Sequence, residues 1–294
     1  MTEPGPAVLA APVEHLLRPA RALLGWLPED NALALLNSGR GDQVATDPQR
    51  EQVRAAHAAV LQRPAGLDQS DLVQEAPEIL QGHIAQLAIT TGAAFFNEGW
   101  NVALVDLSRI CAFQASVFTE SAVERVAGVA TDDLLQLASV TLPTSMPAGE
   151  SMQVQRDDSG KQWLIASRNP NLRVMGIFSG AIQAGGPPAF GFPVGLPPAF
   201  VQAVRYQGRW MLRDGYHRSF GLLSIGAKYV PAFIRDMDSI RDVVPPGMLP
   251  DDAFLGQRPP TLADYADDSV AADVQLPSAQ KIVIVQAIEV SLVS

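Results

Sequence analysis

The sequence predicts an α+β protein: a helical N-terminal region, a mixed-sheet core and an extended C-terminal arm that ends in a strand. Three observations carry this. Apolar residues recur at helical spacing through the first hundred positions. The texture changes to strand-like alternation from Trp100. An acidic, proline-bearing stretch is followed by a hydrophobic final run over 281–293.

Residues 7–98 read as helical. Leucines recur at helical spacing over 13–27, interrupted at Pro19. Asp47 is placed to cap a helix and Pro48 to occupy its first position, and Val53, Ala56, Val60 and Leu61 form a stripe behind them. A linker is expected at 64–70. A second helix is expected over 77–95, with Ile79, Ile84, Leu87 and Ala88 on one side. Val102, Leu104 and Asp106 then alternate with Ala103, Val105 and Leu107, as in a strand. Residues 116–137 read as helix, with acidic residues in the opening turns.

Segments 151–155 and 162–166 flank Asp157-Asp158-Ser159-Gly160, a hairpin signal. A strand is expected over 172–178 and a Gly/Pro-rich loop over 185–198. Segments 200–206 and 209–212 flank Gln207-Gly208, a second hairpin. A short helix over 216–225 closes on Gly226, and a strand over 229–234 follows. The acidic segment 236–272 reads as an irregular arm over the surface. The run 281–293 reads as a strand, buried or paired with a partner chain. The expected division is therefore 1–98, 99–235 and 236–294.

Composition narrows the classes. The chain has 294 residues, 47% of them hydrophobic, so a sizeable core is available. No run of 18 apolar residues occurs, and 1–6 lacks the basic start of a signal peptide, so no membrane association is expected. The single cysteine, Cys111, excludes a disulfide framework and points to the cytoplasm; it reads as a small buried hydrophobe. A net charge of −10 argues against broad nucleic-acid binding. Arginine dominates the cations; this suits phosphate contact, and GC-rich codon usage gives the same skew.

The chemistry-bearing stretch is Met211-Leu212-Arg213-Asp214-Gly215-Tyr216-His217-Arg218-Ser219. It reads as strand, glycine turn and helix start, where outward backbone N–H groups attract anions. Gly215 lets the backbone approach closely, Arg218 brings charge, and His217 has acid–base capacity near neutrality. The structural alternative is an Asp214 cap and a Gly215 turn with ordinary contacts for the rest.

The stretch 200–234 resembles the core of the ParB/sulfiredoxin-like superfamily. The matching pieces are Val201-Gln202-Ala203-Val204, Trp210 to Arg218, Leu222-Leu223-Ser224-Ile225-Gly226 and Val230-Pro231-Ala232-Phe233-Ile234. A looser match covers 100–235, where Phe113-Gln114 resembles the family's Tyr-Gln. The resemblance implies a small mixed sheet with a phosphate site at the motif helix. It implies a nucleoside triphosphate with Mg²⁺ as ligand, and hydrolysis or phosphotransfer as activity. Asp214 and His217 would be catalytic; Gly215, Tyr216, His217, Arg218, Ser219 and Gln114 would hold the nucleotide.

The departures favour other roles. Tyr216 stands where sulfiredoxins carry their cysteine, so sulfiredoxin chemistry is not expected. Segment 236–275 offers no helix-turn-helix region, so a partition role is not expected either. Gln114 stands near the serine-kinase members' carboxylate base and cannot take a proton; Asp106 and Glu120 are the substitutes weighed. The alternative is a non-catalytic interaction or assembly subunit, with a protein partner or a second copy joined through the final strand. A nuclease or DNA-modification-linked role is a third reading.

The remaining candidates carry less. Residues 185–188 read as a connecting loop rather than a lid. Arg156, Arg168 and Arg173 read as solvated, with a second phosphate contact as the alternative. His15, His57 and His83 lack metal-ligand spacing and read as structural. The acidic residues of 251–273 read as a solvated surface, with Mg²⁺ or Ca²⁺ binding as the alternative.

Overall fold

The computed structural model describes residues 17–38, 44–91, 93–145, 152–167, 169, 171–181, 186–243, 248–278 and 281–288. His15 and Arg168 lie outside them. The first half of the chain holds β1 (Leu17–Ala22), α1 (Glu29–Asn37), α2 (Asp47–Gln62), β2 (Val73–Glu75), α3 (Gln81–Thr90), α4 (Ala94–Asn97), β3 (Asn101–Asp106), β4 (Ser116–Phe118), α5 (Thr119–Val126) and α6 (Leu134–Thr141). Then come β5 (Gln153–Arg156), β6 (Gln162–Ser167), β7 (Arg173–Val174), β8 (Phe178–Ala181), β9 (Pro188–Gly191) and β10 (Val194–Gly195). The rest is β11 (Gln202–Tyr206), β12 (Arg209–Asp214), α7 (Tyr216–Ser224), β13 (Tyr229–Asp236), α8 (Ile240–Val243), α9 (Asp251–Leu255), β14 (Ala272–Pro277) and β15 (Lys281–Gln286). The protein is α+β.

The described residues fall into two compact units. The larger comprises 17–145 and 199–277; the smaller draws on 146–198 and 278–294. Positions 98 and 235, the expected divisions, both lie inside the larger unit.

The larger unit is built on a five-stranded mixed sheet in the order β12-β11-β13-β3-β2. Central β13 runs parallel to β11 and antiparallel to β3, with Val230 opposite Val105 and Phe233 opposite Val102. Its run Val230-Pro231-Ala232-Phe233 is buried throughout, as a strand covered on both faces requires. Phe233 stacks on Phe95 with ring centroids 4.8 Å apart and meets Phe200 edge-on at 5.2 Å. A three-stranded sheet, β14-β1-β4, completes the unit.

Several expectations hold. Helix α2 forms with Val53, Ala56 and Val60 buried, but its cap is Thr46, in a capping box with Gln49, and not Asp47, which is the first helical residue with Pro48 second; Leu61 stands exposed. The turns at 157–160 and 207–208 join β5 to β6 and β11 to β12. Gly226, at φ +96°, ends α7.

Others are corrected. Residues 17–22, expected in a helix, are β1, because Ala20, Ala22 and their neighbours pair with β14 on one side and β4 on the other. The expected N-terminal helical region also contains β2. Segment 116–137 breaks into β4 and α5, with α6 starting only at Leu134, because Gly128 takes a left-handed φ of +77°. The expected loop over 185–198 contains β9 and β10.

Segment 236–272 is no surface arm. Leu249, Phe254, Leu262 and Tyr265 are buried in the core, and Asp264 closes a capping box on Thr261 while pairing with Arg63 at 2.8 Å. The final strand is β15, antiparallel to β6, with Ile282 opposite Ala166 and Ile284 opposite Leu164. It therefore finds a partner inside the chain, yet Ile282 and Ile284 remain exposed.

Candidate functional site

The site is where β12 hands over to α7. At the end of β12, Gly215 adopts φ +89°. A Cβ there would fall 2.9 Å from the Cα of Val201 on the neighbouring segment, so glycine is demanded by both conformation and space. The Asp214 carboxylate accepts the Gly215 N–H at 2.6 Å and stabilises the turn. Helix α7 then starts at Tyr216 with no side-chain cap.

Three of the expected ligand residues turn inward. Tyr216 is 3% exposed, and its hydroxyl oxygen accepts the Phe113 N–H at 2.9 Å. Burial pushes its phenol well above the ordinary range, so it stays protonated. Arg218 is 7% exposed, and its guanidinium donates to the Ala199 carbonyl. Ser219 is fully buried, and its hydroxyl has no hydrogen-bond partner among the described residues.

His217 lies on the other side of the helix. Its ring stacks on Phe118 at the end of β4, 5.8 Å between centroids and 10° from parallel. Its Nε2 is buried and finds no hydrogen-bond partner among the described residues. Burial first, then the positive charges of Arg125, Arg18 and Arg218, push its pKa down to about 4. At neutral pH the ring is uncharged. Arg18 itself lies over Phe118, 5.7 Å from the ring centroid, and donates to Glu120 at 3.2 Å. No residue spacing in the sequence joins Phe118, Arg18 and Arg125 to His217, because they arrive from β4, β1 and α5.

Gln114 follows β3 at a distance, after an irregular segment, rather than sitting in the opening strand. Its side chain donates to the Ser116 carbonyl, and its own carbonyl accepts the Tyr265 hydroxyl. The structure thus brings its backbone near the Tyr216 ring through Tyr265, while its amide nitrogen is committed locally. Asp106, weighed as a substitute base, is fully buried and holds Ser108 and Arg109. These hydrogen bonds keep its carboxyl below the ordinary range despite burial. Glu120 is engaged by Arg18.

The other candidates resolve locally. His57 and His83 bind the backbone oxygens of Leu27 and Leu142, each at 2.8 Å. Asp264 and Asp267 of the acidic stretch pair with Arg63. Arg156 lies over Trp163, and Arg173 is exposed. Among the described residues no group of three His, Cys, Asp or Glu is placed to hold a metal ion. Nor is any helix among them long and apolar enough to cross a membrane. A depression of about 520 Å³ lies between the end of α5 and the second half of α7, with Val123, Val126 and Ile225 in its wall; no residue of 213–219 lines it.

As a chemical device, the arrangement offers one neutral imidazole near three arginines and an exposed carboxylate, Asp214, engaged at the turn. The comparisons add no family: no family model, no curated protein and no solved structure matches the chain.

Proposed function

We propose that the chain is a non-catalytic interaction or assembly subunit on a ParB/sulfiredoxin-like core, in which Asp-Gly-Tyr-His-Arg serves as a structural corner. The carrying observation is the burial of Tyr216, Arg218 and Ser219, with the Arg218 guanidinium donating to Ala199. An arginine that reads phosphate must present its fork to the ligand. Here one nitrogen of the fork, Nη1, donates to the Ala199 carbonyl in the segment that leads into β11 and ties that segment to the helix. The corner thereby exchanges chemistry for rigidity.

The test is a thermal-shift screen of the purified protein against CTP, ATP, ADP and GTP with Mg²⁺. The expected result is an unchanged melting temperature with each. A rise with one nucleotide, lost in His217→Gln, overturns the reading, since a ligand bound to the native state must raise the midpoint.

That outcome would favour the second reading, a nucleotide-binding protein with hydrolysis or phosphotransfer. Its support is the buried, unpartnered Nε2 of His217 beside Arg18 and Arg125 at the start of α7. A phosphate oxygen there would accept the missing hydrogen bond and offset the arginine charges. Mg²⁺ would then travel with the phosphates.

A further inference from the structure

The smaller unit contributes about a fifth of the described residues, yet it holds eleven of the nineteen large apolar side chains that stand exposed. They centre on a segment of unusual composition. From Val174 to Val204, 31 residues pass without one Asp, Glu, Lys, Arg or His, in a chain that is 18% charged. Exposed apolar surface at this density marks an interaction site.

Its geometry narrows the occupant. Strands β8 and β9 form a two-stranded antiparallel ribbon, with Ser179 opposite Phe190 and Gly180 opposite Ala189. Neither strand has another partner among the described residues. Phe190 and Phe192, two apart, share one face and meet edge-on at 5.2 Å and 90°. They are 65% and 50% exposed, and Ile177 beside them is 68% exposed. A ribbon of two strands is marginal alone and gains stability from a covering layer.

Immersion in hydrocarbon is disfavoured, because the open edges would leave backbone N–H and C=O groups unpaired. A charged partner finds no charge to pair with. An uncharged apolar ribbon fits, and the chain itself supplies one. At a net charge of −10, two copies repel across most of their surface; the exposed apolar residues of the uncharged segment, Ile177, Phe178, Phe190 and Phe192 among them, are where they can meet without like charges.

We propose that this face is the self-association surface of the chain, with Phe190, Phe192 and Ile177 of one copy laid on the same residues of a second about a two-fold axis. The proposal rests on the interaction reading above and names its partner.

The experiment is sedimentation velocity on the full chain from 1 to 100 µM. It compares wild type, Phe190→Asp/Phe192→Asp, and Ile89→Asp, a control at a 73% exposed apolar site in the larger unit. Circular dichroism checks the fold of each. Wild type and Ile89→Asp should sediment at twice the 31.4 kDa chain mass. The double variant should be monomeric, with association weakened at least about 100-fold, because each aspartate would be desolvated against its counterpart.

A wild type that stays monomeric at 100 µM overturns the proposal, as does a double variant that still dimerises. Flotation of monomeric wild type with anionic vesicles, lost in the double variant, overturns it in favour of a lipid surface. A nucleotide-dependent thermal shift instead removes the interaction reading beneath it, so the two failures are distinguishable.

Discussion

Acidification should destabilise this protein before its carboxylates titrate, through His217. An unperturbed histidine titrates near 6.5, and His217 in the fold is pushed down to about 4 by burial and by Arg125, Arg18 and Arg218. Between these values the unfolded chain takes a proton that the folded chain refuses. Stability therefore rises with pH across the window, is fully present above about 6.5, and drains as the pH falls toward 4. At 1.36 kcal/mol per unit, the loss between pH 7.5 and 4.5 comes to roughly 2–3 kcal/mol, a large share of a typical domain's stability.

The assay is urea unfolding at pH 7.5, 6.5, 5.5 and 4.5 for wild type and His217→Phe. Phenylalanine keeps the stack on Phe118 and removes the proton site. Every other titrating group is common to both proteins, so their stability difference isolates His217. That difference should move by roughly 2–3 kcal/mol in favour of the variant as the pH falls. Added salt should reduce the part contributed by the arginines. Curves that stay parallel to within about 0.5 kcal/mol from pH 7.5 to 4.5 would refute the reasoning, for they would place His217 in water.

Three further outcomes are expected. Gly215→Ala forces an alanine into a left-handed conformation and against Val201; urea unfolding should show a loss of about 2–4 kcal/mol. Tyr216→Phe leaves the buried Phe113 N–H without its acceptor, for a loss of about 1–3 kcal/mol by the same method. Cys111 is fully buried and its thiol is pushed up to about 12; a chromogenic disulfide reagent at pH 8 should titrate it only after urea is added. Rapid reaction in the native protein would contradict that placement.

Much of the larger unit was legible because its signals are local. Gln207-Gly208 fixes a hairpin, Gly226 ends a helix, and the apolar run at Val230 marks a strand buried on both faces. What failed was non-local. Leu17–Ala22 carries helix-like spacing, but its register is set by Asp273 and Val274, some 250 residues away. The far strand does alternate, with Ala272, Val274 and Leu276 buried and Asp273, Gln275 and Pro277 exposed, but nothing in Leu17–Ala22 points to it. Segment 236–272 looked like an arm because prolines and acids interrupt it, yet Phe254 and Tyr265 anchor it in the core and Arg63 neutralises Asp264 and Asp267.

The corner at 214–219 shows why site residues are harder to read than elements. A phosphate site needs a left-handed glycine, free N–H groups at a helix start, and a cation nearby. A tight sheet-to-helix junction needs the same glycine. It also benefits from a carboxylate on the turn, as Asp214 provides, and from an arginine that ties the helix to a backbone carbonyl, as Arg218 provides. The two demands select the same residue types at the same spacing. They differ only in which way the guanidinium turns, and that is set by the chain around Ala199 and by the packing of Gly221 against the Ala122 backbone. His217 resolves the ambiguity experimentally. If the corner is structural, its ring stays neutral and unliganded through the physiological range, and the acid-dependent loss of stability appears in full. If an anion occupies the corner, the arginine charges are offset, the pKa of His217 moves back toward its ordinary value, and the same titration flattens when that anion is added.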